Sequence, residues 1–293
     1  VSKILCIVDS YSWALFNRAK NLKKQLKSHE VIIKHFNDTP SINFNNFDIV
    51  YSLNWPIHGY IKGSISSNRK YRLVTTISSH IGRGNAKTMS SLLNKYDAIS
   101  TSSEILYNEF RPIYKGKVFN TSFGVNSDLF VSKNSPGRHK NVFGWVGNHS
   151  RDVKRFNVIS STFKKLGPKY ILKTAKAGSG LSRKQMVSFY NSVGTVICFS
   201  SSEGTPNPIL EAASCGRSII STKVGNVPEL VGGNRDIHIV SNKAQLRDAI
   251  IYNSKNPIKI DSDGKYLRGR IVKSWSWNKR AKAFVPFLGL LNV

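Results

Sequence analysis

Apolar and polar positions along this chain change period repeatedly, and each change marks an element. Short apolar runs at Lys3–Asp9, Glu30–Phe36, Asp48–Leu53, Arg72–Ser78 and Ala98–Thr101 read as buried strands, and Lys117–Phe123 as extended chain. Between them the spacing becomes helical. In Ser12–Ser28 the residues Trp13, Leu15, Phe16, Ala19, Leu22 and Leu26 share one face, with basic residues opposite. Lys87–Tyr96 and Ser103–Tyr114 are shorter helices, the second closed by Pro112. After the polar, Pro/Gly-bearing segment Ser132–Lys140 the alternation restarts. A strand Asn141–Val146 ends at Gly147, and a helix Asp152–Leu166, a strand Tyr170–Thr174, a Gly-rich turn and a helix Ser182–Ser192 follow. Strand Thr195–Phe199, a helix from Pro208 to Gly216, strands Ser218–Thr222 and Ile237–Val240 and a helix Lys243–Ser254 complete this block, and the aromatic tail Lys265–Leu291 reads as helical.

Strands alternating with helices predict parallel sheets with helices on both faces. Two such blocks predict an α/β chain of two Rossmann-like, doubly wound lobes, residues 1–135 and 136–270, with 271–293 as a closing helix. Both lobes of a 293-residue chain would be near minimal size. No apolar run approaches the ~20 residues of a membrane span, and the amino end is too soon interrupted by charge to read as a signal peptide. Three isolated cysteines, Cys6, Cys198 and Cys215, with no zinc-like spacing, suit a reducing, cytoplasmic setting.

Charge alters the picture. The chain has 44 Lys+Arg against 16 Asp+Glu, a net +28, and both halves are basic. Such an excess attracts polyanions: nucleic acid, phosphate-bearing polymers or an anionic membrane face. Coding bias toward Lys and Asn is the bland account of the same number.

Candidate chemistry concentrates in Ser200–Glu229, SSSEGTPNPILEAASCGRSIISTKVGNVPE. A strand leads into a loop with one acid, Glu203, and two prolines, and then into a helix with Glu211 in its first turn. Open α/β sheets bind ligands at such carboxyl ends, and unpaired N–H groups at a helix start suit phosphate. Ser200, Glu203, Gly204, Pro206, Leu210, Glu211, Ala212 and Gly216, then Gly225, Pro228 and Glu229, resemble the donor-binding signature of family 4 retaining glycosyltransferases of the GT-B fold (glycosyl transferases group 1).

That resemblance implies two lobes facing a cleft and a metal-independent, retaining transfer of a sugar from a nucleoside diphosphate donor, a UDP-sugar, with no other cofactor. It makes Lys154, seven residues past Gly147, the cation for the departing diphosphate. Glu203 would face the donor sugar and Glu211 the ribose, while the backbone around Thr205, Asn207, Pro208 and Ile209 would line sugar and diphosphate. His80 resembles a first-lobe histidine that contacts the donor sugar. The family's Arg after that glycine is Asn148 here, with Arg151 as a substitute, and Arg155 stands where the family has glycine. Asp9 and Tyr11 are candidate acceptor contacts, and Asp261-Ser-Asp263 reads as a turn rather than a metal site. The acceptor would be polyanionic (modified DNA or a phosphate-bearing polymer), or a saccharide or lipid reached by peripheral docking on an anionic membrane. The alternative is a non-catalytic polyanion-binding protein built on a decayed enzyme lobe.

Overall fold

The computed structural model describes residues 1–11, 14–79, 86–176, 181–234 and 236–291. They divide into two compact units, Val1–Gly124 with Trp277–Val293, and Val125–Ser276. The first unit is built on β1 (Lys3–Val8), β2 (Glu30–His35), β3 (Ile49–Ser52), β4 (Arg72–Ile77), β5 (Ala98–Thr101) and β6 (Lys117–Asn120). They form one all-parallel sheet in the order β2-β1-β3-β4-β5-β6. The second unit holds β7 (Val142–Gly147), β8 (Ile171–Lys176), β9 (Thr195–Cys198), β10 (Ser218–Ser221) and β11 (His238–Ile239), also parallel, in the order β11-β10-β9-β7-β8.

Parallel strands are covered on both faces and so run continuously apolar; Ile4, Leu5, Cys6, Ile7 and Val8 are all wholly buried. In each sheet the order reverses once, between β1 and β3 in the first and between β7 and β9 in the second. These reversals are the topological switch points at which ligands bind to open α/β sheets.

Several expectations shift. The units part at Gly124, upstream of the polar segment Ser132–Lys140, because Val125 and Phe130 are buried in the core of the second unit. The tail is not one helix. Pro257–Arg270 is helical, a single wide turn follows over Ile271–Trp275, and Ser276 is extended at φ −70°, ψ 154°. Beyond it, Trp277, Phe284 and Phe287 are buried in the first unit's core, with the Trp277 and Phe284 rings 6.2 and 6.0 Å from Phe123.

Asp261 and Asp263 lie in the helix Pro257–Arg270 rather than in a turn. Pro257 opens that helix, a position that needs no N–H donor, and Lys259 pairs with Asp263 one turn later at 2.5 Å. Both acids are committed to structure. Asp261 accepts from Ser135 Oγ and the Gly137 N–H, and Asp263 from Ser218 Oγ. The glycine beside them is required by a neighbour: a Cβ on Gly264 would stand 2.1 Å from the Gly216 carbonyl oxygen.

Gly264→Ala is therefore expected to destabilise the protein by about 1–3 kcal/mol through overpacking, despite its better helix propensity. The readout is a lower urea midpoint at unchanged slope; an unchanged midpoint would show that the helix is not seated on Gly216.

Candidate active site

Two strand ends flanking the second switch point converge. The β7 strand ends at Gly147, beside the buried Trp145 ring, and a single 3-10 turn over Asp152–Lys154 follows. The β9 strand ends at Cys198 and runs into Ser200–Glu203. The two loops are joined by backbone, with the Ser201 N–H donating to the Val153 carbonyl at 2.9 Å. That contact sets Lys154 Nζ 2.5 Å from Glu203 Oε1, with the two side chains only 15% and 13% exposed. Ser200 Oγ donates to the same oxygen at 2.8 Å, and Thr222 Oγ1, just past β10, donates to the Ser200 carbonyl at 2.6 Å. A cation, an acid and a hydroxyl are thus held in one half-buried cluster, where screening by water is weak.

Lys154 is placed at a conformational cost. The next residue, Arg155, has φ 47° and ψ 38°, and among the described residues it is the one non-glycine with positive φ. Its left-handed backbone separates the 3-10 turn from the helix Phe156–Leu166, so the predicted helix Asp152–Leu166 is broken there. The Arg155 guanidinium lies 5.9 Å from the Phe199 ring centroid. Asn148 is spent on the loop itself, its Oδ1 accepting from the Ser150 N–H and Ser150 Oγ. Arg151 is exposed on the same loop.

Glu211 lies on the helix Asn207–Ser214 and accepts from Tyr190 Oη at 2.8 Å. Burial raises its carboxyl pKa, opposed by the Arg183 cation and by the Tyr190 bond. The same burial, with the adjoining carboxylate, drives the Tyr190 phenol well above its ordinary value. Glu211 and the Lys154–Glu203 pair therefore have separate partners on one loop–helix segment. Of the backbone groups predicted to line a donor, the Ile209 N–H is already taken by the Pro206 carbonyl at 2.9 Å, and Pro208 has none to give. Thr205 is buried, and Asn207 opens the helix.

The loop after β10 braces this segment. Gly225, at φ +52°, packs so closely that a Cβ on it would stand 2.5 Å from the Gly204 carbonyl oxygen. Next to it Asn226 is 1% exposed, and neither polar atom of its side chain has a hydrogen-bond partner. Sequence reasoning missed Tyr190, Arg183 and Asn226. Tyr190 and Arg183 sit on the helix Arg183–Asn191, roughly 20 to 30 residues upstream of the carboxylate they face, and no local spacing announces that.

His80, the candidate for contact with the donor sugar, lies outside the described residues. In the first unit Asp9 is exposed at the end of β1, its carbonyl facing His35 Nε2 at 2.9 Å. Partial burial raises the Tyr11 phenol's pKa, and the hydrogen bond that its Oη donates to Asp38 Oδ2 at 2.7 Å raises it further.

Two outcomes follow for this site. Arg155→Gly is expected to stabilise the protein by about 1 kcal/mol, since a left-handed non-glycine residue costs about 1–3 kcal/mol and glycine returns part of that as chain entropy; a lower urea midpoint would refute the strain. Glu211→Gln is expected to raise stability at neutral pH. A carboxyl with a raised folded pKa favours the fold when protonated and loses that contribution as pH rises through the folded value. The advantage of the variant should therefore shrink as pH falls toward 4.5, the ordinary glutamate value. A pH-independent difference between the two urea curves would count against a buried Glu211 charge.

Comparison with known proteins finds a family for part of the chain. Residues 140–256 match the family described as glycosyl transferases group 1. Over 220 residues the chain is 22% identical to a protein named probable sucrose-phosphate synthase from Thermosipho melanesiensis, covering 64% of this chain and 51% of that one. The chain thus spans about half the length of the curated relative it matches. Among solved structures, a sucrose-phosphate synthase from Thermosynechococcus elongatus matches at TM-score 0.79 and 12% identity over 98% of both chains. HepE of Anabaena, solved with UDP and glucose, matches at TM-score 0.77 and 12% identity over 99% of this chain and 100% of that one. A glycosyltransferase from Rickettsia africae matches at TM-score 0.70 and 16% identity, over 98% and 97%. With two parallel sheets of six and five strands, this chain has the GT-B fold, and its second unit matches the glycosyl transferases group 1 family.

Proposed function

We propose that this protein is a retaining, metal-independent glycosyltransferase that moves a hexose from a UDP-sugar to an acceptor hydroxyl. The observation that carries the reading is the Lys154–Glu203 pair at the switch point of the second sheet, beside the helix that bears Glu211. The family match of residues 140–256 supports it, as do the UDP and UDP-glucose complexes of HepE, a structural neighbour.

In this reading the bond between the anomeric carbon and the diphosphate breaks, and the acceptor oxygen bonds to that carbon on the same face. The acceptor's proton passes to the departing phosphate oxygen. Lys154, already held in place, stabilises the charge that grows on the diphosphate. Glu203 steadies the positive charge on the sugar ring, and Glu211, oriented by Tyr190, takes the ribose hydroxyls. The net charge of +28 favours an acceptor that is polyanionic or embedded in an anionic surface. A non-catalytic polyanion-binding protein is the second reading. It draws on Asn148, whose side-chain carbonyl is consumed by its own loop where the family has a cation.

Lys154→Met is expected to lower UDP release from UDP-glucose in the presence of acceptor by about 10²–10³-fold, as for loss of one charge-stabilising donor. Circular dichroism should accompany the assay, since the change strands Glu203 in a half-buried site. Wild-type turnover in a folded variant would sink the assignment of Lys154. Failure of any sugar nucleotide to bind the wild-type chain by calorimetry would favour the second reading.

A further inference from the structure

The turn that carries Lys154 carries a second cation, and that one is uncompensated. Arg155 follows Lys154 directly and is exposed. Among the described residues, none forms a hydrogen bond or an ion pair with its side chain. Its guanidinium carbon lies 5.9 Å from the centroid of the Phe199 ring, within reach of a cation on an aromatic face. Phe199 is buried and follows β9 immediately, next to the Ser200 whose hydroxyl holds Glu203. The guanidinium is therefore kept at the carboxyl end of β9, on the same edge as the Lys154–Glu203 pair.

Its backbone is the costly part. At φ 47° and ψ 38° Arg155 occupies the left-handed region, which glycine fills without penalty and a long side chain does not. Packing returns little of that cost, because the side chain is exposed and its ring contact is at the outer limit of such contacts. Strain that persists in this way gathers at sites that hold a ligand. The charges around it give the ligand's sign. Lys154 and Glu203 cancel each other, and Asp152 matches the exposed Arg151. Asn148, at the other end of the loop, brings no charge, and its Oδ1 is used by Ser150. Arg155 is the charge left over.

We infer that Arg155 is the residue that captures the diphosphate of the donor, ahead of Lys154, which is still occupied by Glu203. The inference deepens the transferase reading and rests on it for the identity of the anion. A guanidinium presents forked donors that match two phosphate oxygens at once. The Phe199 ring supports the fork from one face and leaves its N–H groups free, since cation–π attraction acts through the face of the plane. The left-handed backbone is what makes this placement possible. A right-handed residue here would carry the turn on into the helix Phe156–Leu166 and tilt the side chain back over the turn instead.

The test is calorimetry on the full chain with UDP and pyrophosphate, and with uridine by displacement of UDP. Arg155→Gly relieves the backbone and removes the cation, so it is expected to melt no lower than wild type. It should nevertheless bind UDP about tenfold or more weakly, the worth of a charged hydrogen-bonding group, with its affinity for uridine unchanged. Arg155→Asn, which tolerates the left-handed backbone without a charge, is expected to behave like Arg155→Gly and serves as the second variant. Arg155→Lys keeps the charge and loses the fork, so its expected loss is smaller, about threefold. Lys164→Ala, in the last turn of the helix Phe156–Leu166, removes an exposed charge beyond the screening length and should leave UDP affinity unchanged. UDP affinity unaltered by Arg155→Gly, an equal loss for uridine, or a larger loss from Arg151→Ala would each overturn the inference. The two readings fail separately. UDP binding that ignores Arg155 removes this inference alone, and pyrophosphate binding that depends on Arg155, without UDP binding, removes the transferase reading alone.

Discussion

A lysine and a glutamate from two different strand ends meet at 2.5 Å, and the carboxyl edge of the second sheet is arranged around that meeting. Neither side chain would be held there by its own loop. The Ser201 N–H on the Val153 carbonyl draws the loops together, and Ser200 and Thr222 fix the acid from behind. Partial burial makes the attraction stronger than at a surface, where such pairs are worth about 0–1 kcal/mol. It also makes either charge costly to leave alone.

The two sheets answer the same topological question in opposite ways. Each reverses its strand order once, and each reversal has a cation near it. In the second unit Lys154 is neutralised by Glu203. In the first, Arg18 lies over the face of Phe123 and, among the described residues, has no carboxylate in an ion pair. Against a net charge of +28 spread over the surface, these two are distinguished by burial and by what surrounds them rather than by sign. The many exposed lysines set the long-range field of the chain.

Much of the fold was legible because a parallel sheet needs strands that are apolar on both faces, and such runs stand out. The Ala98–Thr101 strand was read residue for residue. Elements failed where a tertiary partner decides. Gly264 reads as a turn residue until the Gly216 carbonyl is seen against it. The polar composition of Ser132–Lys140 suggested a boundary that Val125 and Phe130 override by packing into the second core. At the site, Lys154, Glu203 and Glu211 came from motif resemblance, and the structure pairs the first two while giving the third to Tyr190. The left-handed backbone of Arg155, the orphaned amide of Asn226 and the unpaired Arg18 had no signature in spacing. Each is a property of what does or does not lie opposite.

The contact of Gly225 with Gly204 links two stretches of chain more than twenty residues apart. A bulkier residue at Gly225 would push the strap that carries Glu203 before it altered anything in its own neighbourhood. Libraries that randomise only the 200–207 strap would therefore sample shapes already dictated by its brace. New shapes of this edge are more accessible when both stretches are diversified together, with the first treated as the moving part and the second as its stop.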